Sequence, residues 1–215
     1  MKPPLILLTT ILFFSATAAF PGGNGGEKGQ TLPDDATGVR PLLIGADAPD
    51  VTLRSVTGEK VALREISPEA PVMVIFYRGG WCPFCNRHLA ELAAMAEDIR
   101  ELGMEIIAIS PDSPEQLRES LGGHEPEYLL LSDQDRRIAS RFGIAFRETD
   151  PERVAALVER TGHTKTPEGH YIYPVPAVFL LDSDKVIRFQ YVDPDYSRRI
   201  SGDILMAAAE YVAGL

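Results

Sequence analysis

Cys82 and Cys85 are the only two cysteines among 215 residues, and they close the run VIFYRGGWCPFC at 74–85, where a β-prone stretch gives way to a helical one. A lone pair at this spacing reads as a dithiol that opens and closes reversibly. At a loop-to-helix junction Cys82 meets unpaired backbone N–H groups and the positive end of the helix dipole, both of which stabilise a thiolate. A free thiol has a pKa of about 8.5 and such sites fall to roughly 3.5–7.5, so Cys82 is assigned as nucleophile. Pro83 suits the first helical turn, where its missing N–H leaves no donor unpaired. Cys85, one turn on and on the same helix face, is assigned as the resolving thiol.

Two other uses of the pair compete with this one. A structural disulfide closing a four-residue loop removes little entropy from the unfolded chain. A metal site needs three or four ligands, and the candidates beyond the thiols are His88, His124, His163 and His170, which form no second ligand pair. No metal and no cofactor is therefore assigned. His88, three residues past Cys85, is a candidate support that tunes the thiols.

The elements that must position these sulfurs can be read along the chain. Val51–Val56 and Lys60–Leu63 flank Thr57-Gly58-Glu59 as a hairpin, and the apolar run 71–77 reads as a central strand covered on both faces. Leu89, Leu92, Ala93, Ala96 and Ile99 give the helix after Cys82 its period, with Gly103 as its stop. Strands are expected at 104–109, 127–131, 177–181 and 185–192. Helices are expected at 114–121, 135–142, 150–160 and 201–212. The stretch 161–173 has no period and is expected to be a surface loop. Strand-helix alternation followed by a hairpin and a last helix predicts an α/β protein of thioredoxin-like plan, a mixed sheet with helices on both faces.

The ends and the charge bound the setting. Lys2, the apolar run Leu5–Phe14 and the small residues Ala16-Thr17-Ala18 form a secretory signal pattern over 1–20. The run is shorter than the about 20 residues that span a membrane, so no stable insertion is expected after cleavage. A flexible Gly-rich linker is expected at 21–40 and a single domain at 41–215, exported to the periplasm or beyond. With 21 Lys and Arg against 31 Asp and Glu the net charge is −10, which repels nucleic acid.

Four segments, GADAPD at 45–50, FYRGGWCPFC at 76–85, LLLSDQDRRIASRFGI at 129–144 and YPVPAVFLLDSDKVIRF at 173–189, occur together and in order. On them the chain resembles the peroxiredoxin-like branch of the thioredoxin superfamily, the alkyl hydroperoxide reductase and thiol-specific antioxidant group. The resemblance implies a cis Val175–Pro176 bond facing the cysteines, with Val175 backbone groups and Trp81 shaping a substrate-binding surface. It also implies a Thr or Ser three residues before the peroxide-attacking cysteine, a register that puts Cys85 in that place and Cys82 at the hydroxyl position. Helix-end geometry favours Cys82, and that assignment is kept. Pro176 stands where the family carries a peroxide-orienting arginine, leaving Arg78 or Arg188 as substitutes.

Three functions follow. The favoured one is thiol-disulfide exchange, in which Cys82 forms a mixed disulfide with a disulfide-bearing protein or small oxidised substrate and Cys85 releases it, with a thiol as electron donor. The alternative is a thiol-dependent peroxidase passing through a sulfenic acid. The third, placed last, is a metal-binding module on the two thiols and a histidine.

Overall fold

The computed structural model describes residues 31–123 and 127–215; the signal pattern at 1–20, residues 21–30 of the expected linker and His124 lie outside the described residues. In chain order the strands are β1 (Thr52–Ser55), β2 (Lys60–Ala62), β3 (Val72–Phe76), β4 (Glu105–Ser110), β5 (Leu129–Ser132), β6 (Ala145–Arg147), β7 (Ile172–Pro174), β8 (Ala177–Leu181) and β9 (Ile187–Val192). The helices are α1 (Pro83–Glu101), α2 (Pro114–Leu121), α3 (Arg137–Arg141), α4 (Pro151–Thr161) and α5 (Gly202–Ala213).

Seven strands form one mixed sheet in the order β2-β1-β5-β4-β3-β8-β9. β3, β4 and β5 run parallel, β8 returns antiparallel beside β3, and β9 pairs antiparallel with β8 at the edge. Every residue of β3 is buried, which is why its sequence is apolar without alternation. Met73 and Ile75 pack with Leu92, Ala96 and Ile99 of α1 and Leu205 and Ala209 of α5. Val72, Val74 and Phe76 turn to the opposite face, against Ile138 and Phe142 at α3. There Phe76, Phe142 and Phe179 stack with ring centroids 5.0–6.1 Å apart. This is the thioredoxin-like plan, helices on both faces of a mixed sheet.

Two expectations are corrected. The stretch 161–173 is not a surface loop throughout: His163 and Thr166 are buried, and it runs into β7, which pairs antiparallel with β6. Each of those strands is three residues long, too short for a period to show. Residues 31–40, expected to be the end of a linker, lie against the domain. Arg147 N–H donates to Pro33 O, Arg40 N–H donates to Gly143 O, and Val39 is buried beside Phe146 and Tyr173.

Candidate active site

α1 starts just after β3, and the six residues between them, Tyr77 to Cys82, set the two sulfurs. Gly79 has φ 134°, and a Cβ there would come within 2.4 Å of Trp81 Nε1 and 2.7 Å of Asp112 Oδ1, so only glycine fits. A Cβ at Gly80 would stand 2.8 Å from the Ser120 side chain. The loop is pinned from below. Asp112 is buried and accepts the Gly80 N–H at 2.8 Å, the Ser110 hydroxyl at 3.1 Å, and a contact of 3.1 Å from His163 Nε2.

Cys82 occupies the N-cap of α1 with an extended backbone, and Pro83 follows at the first helical position. Both thiols are free. Cys82 lines a cleft of about 560 Å³ together with Arg78, Trp81, Phe84, Val175 and Pro176. Its own surface is only 1% exposed, so the sulfur sits at the floor. Cys85 is fully buried and does not line that cleft. The Arg78 backbone N–H lies 3.5 Å and the Arg199 guanidinium 3.3 Å from its sulfur.

The two thiols, three residues apart in sequence, influence each other's protonation. The neighbouring Cys85 thiol, backbone N–H groups and the Arg78 charge bring Cys82 down to about 6 against the opposing cost of burial. The same neighbour effect, with burial, pushes Cys85 up. His88 is buried next to Arg199; burial first, and then that guanidinium, bring it down to about 4, so it is neutral at ordinary pH. Its Nε2 has no hydrogen-bond partner among the described residues.

Arg78 is 8% exposed and makes no ion pair among the described residues. Its guanidinium stands 5.2 Å from the Trp81 ring centre, 5.9 Å from that of Tyr173 and 4.5 Å from that of Tyr196. A buried cation held by ring faces rather than by a carboxylate remains open to an anion. Tyr196 also packs on Phe84, edge to face, with centroids 5.9 Å apart.

The structure therefore brings Cys82, Cys85, Trp81, Val175, Pro176, Arg78 and His88 together. It corrects the expected backbone at Val175–Pro176, since no peptide bond among the described residues is cis. The Val175 N–H donates to Ile144 O at 2.8 Å as the chain leaves its pairing with β6, so it is not free for an extended substrate. Arg188 is also withdrawn from the site, because it is bound to Asp182 at 2.6 Å. Sequence reasoning missed Arg199, Tyr196, Tyr173 and Asp112, and raised His163 only as a metal-ligand candidate. Ser113 is the cap of α2, and Asp112 turns under the glycine loop. Among the described residues no three His, Cys, Asp or Glu side chains cluster closely enough to hold a metal.

Known proteins resemble this arrangement in sequence and in shape. Peroxiredoxin Bcp of Escherichia coli K12 is 29% identical over 106 residues, covering 49% of this chain and 67% of that protein. The crystal structure of peroxidoxin BcpB from Mycobacterium tuberculosis superposes with a TM-score of 0.61 at 19% identity, covering 79% of this chain and 97% of that one. Peroxiredoxin Q of Xanthomonas campestris gives 0.60 at 17% identity, over 80% and 97%. At those identities the structures speak for the fold. The pattern that defines the AhpC/TSA family matches residues 44–190, from the approach to the first hairpin through the cysteine helix to β9, and the chain is a peroxiredoxin-like thiol oxidoreductase that belongs to that family.

Proposed function

We propose that the protein is a thiol-dependent peroxidase in which Cys82 attacks hydroperoxides and Cys85 closes the disulfide. This reverses the order of the two enzymatic readings made from sequence. The observation that carries it is the depth of Cys82: a sulfur 1% exposed at the floor of a cleft admits the narrow –O–OH end of a hydroperoxide. A folded protein's disulfide does not reach that depth, and access governs thiol attack. That the relatives are named peroxiredoxins supports the same reading.

The Cys82 thiolate attacks the terminal oxygen, forming the S–O bond as the O–O bond breaks. The other peroxide oxygen leaves as an alkoxide or hydroxide and takes the proton of the Cys85 thiol. Arg78 lowers the Cys82 pKa through its charge, and that charge also steadies the departing oxygen. Cys85 then attacks the sulfenic sulfur, the S–S bond forms and the S–O bond breaks, releasing hydroxide. A thiol donor returns two electrons to the disulfide. Export of the enzyme remains a proposal that rests on residues 1–20.

The test is consumption of hydrogen peroxide and of an alkyl hydroperoxide with dithiothreitol as donor, run beside reduction of insulin disulfides. Peroxide consumption that is lost in Cys82→Ser supports the reading. Insulin reduction without peroxide consumption would return the protein to thiol-disulfide exchange.

A further inference from the structure

The loop between β9 and α5 reaches the active site at two points. Tyr196 covers Arg78 and Phe84 at the cleft, and three residues later Arg199 reaches the buried sulfur of Cys85. The loop holds its own shape. Asp195 accepts from Ser197 at 2.7 Å, and Arg199 Nη1 donates to the carbonyls of Tyr196 at 2.6 Å and Arg198 at 2.5 Å. Ile200, the next residue, is buried with Leu205 in the core beneath α1 and α5. With Nη1 engaged on its own loop and Ile200 anchored, Nη2 is directed at Cys85 with little freedom to turn elsewhere.

In the reduced pair the lowered thiol is Cys82, at the cleft, and Arg199 lies against the other sulfur. Its use comes one step later. When the Cys82 sulfur has been oxidised and the Cys85 proton has left with the peroxide oxygen, the negative charge moves to Cys85. That sulfur is fully buried, where an unaccompanied thiolate is costly. The charged and titratable groups around it are Tyr77 just after β3, Cys82 and His88 at α1, Arg78 from the glycine loop, and Arg199. His88 is neutral, and burial pushes Tyr77 up, so that ring too is neutral. The side chain of Arg78 is committed to its cage of rings beside Cys82. Arg199 is the one cation whose side chain touches the sulfur.

We propose that Arg199 drives the closing step: its guanidinium holds Cys85 as a thiolate after Cys82 has been oxidised, so that the disulfide forms before a second peroxide reaches the sulfenic acid. The bond made is S–S, the bond broken is the sulfenic S–O, the oxygen leaves as hydroxide, and Arg199 keeps its protons throughout. Arginine suits this better than lysine or histidine, since it stays charged when buried. The inference rests on the peroxidase reading for the event that oxidises Cys82, but the contact it invokes can be tested without peroxide.

The first arm uses the Cys82→Ser variant, in which Cys85 is the only thiol, and follows its thiolate by ultraviolet absorbance against pH. Arg199→Gln should raise the midpoint by about one unit, which is about tenfold less thiolate at a given pH, and Arg199→Lys should recover part of it. The second arm follows Trp81, the single tryptophan, in rapid mixing of the two-cysteine protein with hydrogen peroxide. Arg199→Gln should leave the first phase unchanged and slow the second about tenfold. An unmoved midpoint in the first arm, or a slowed first phase with an unchanged second, overturns the assignment. Absence of any peroxide phase while the midpoint still shifts would sink the peroxidase reading and leave Arg199's hold on Cys85 standing.

Discussion

Cys82 and Cys85 stand one helical turn apart on α1, carry the same functional group, and live in opposite surroundings. Cys82 lines a cleft, sits at the helix start, and faces a guanidinium caged by three aromatic rings. Cys85 is sealed in the core, has its thiol pushed up by its neighbour and by burial, and touches a second guanidinium that arrives from the far end of the chain. The sequence spacing makes the two interchangeable, and the family register even puts Cys85 first. What separates them is which sulfur has both a route to solvent and the lower proton affinity, and on both counts that is Cys82.

The strongest way to break this contrast is to remove each sulfur in turn. Cys82→Ser should abolish peroxide turnover. Cys85→Ser should still consume one equivalent of hydroperoxide without a donor and accumulate Cys82 as a sulfenic acid, seen by mass spectrometry as one added oxygen. If Cys85→Ser were the dead variant and Cys82→Ser the one that trapped the oxygen, the two sulfurs would have exchanged roles.

Arg78 sharpens the same contrast. Arg78→Gln should lower kcat/KM for hydroperoxide about a hundredfold, in the range seen when one charge-stabilising donor is removed. It should also change the pH dependence. In the native protein the thiolate of Cys82 forms as pH rises through about 6, so its alkylation by iodoacetamide should climb through that pH and level off above it. His88 contributes nothing to that rise, being neutral above about 4. In Arg78→Gln the climb should shift to higher pH. An alkylation profile already flat at pH 5 would mean that another group sets the charge.

Below the loop the expected effects fall on stability. Asp112→Ala removes the acceptor of Gly80 N–H, Ser110 Oγ and His163 Nε2 inside the fold. Leaving such groups unpaired costs about 1–3 kcal/mol, readable as a lower urea midpoint with peroxidase activity reduced through the loosened loop. The same residue marks the limit of sequence reading. The central strands β3, β4, β5 and β8 were legible because each is largely an apolar run, and α1 was legible from its period and the cysteine at its start. Asp112 and His163 were not, since the bond between them joins positions 51 residues apart and neither belongs to a local pattern. Arg199 was invisible for the same reason, 114 residues from the sulfur it touches in a loop with no period. Short β6 and β7 escaped because three residues show no alternation.

The smallest effect expected is at Arg188, where the comparison of the two sulfurs predicts nothing at all. From sequence it was one of two substitutes for the arginine that Pro176 displaces. In the fold it is spent on Asp182 at the other end of the β8–β9 turn, with its side chain 39% exposed. Partly exposed pairs of this kind contribute about 1 kcal/mol or less. Arg188→Gln should therefore leave kcat/KM and the Cys82 alkylation profile where they were and move the urea midpoint slightly. A drop in kcat/KM as large as that of Arg78→Gln would mean that the cation serving the peroxide oxygen comes from β9, and that the ring cage around Arg78 has another purpose.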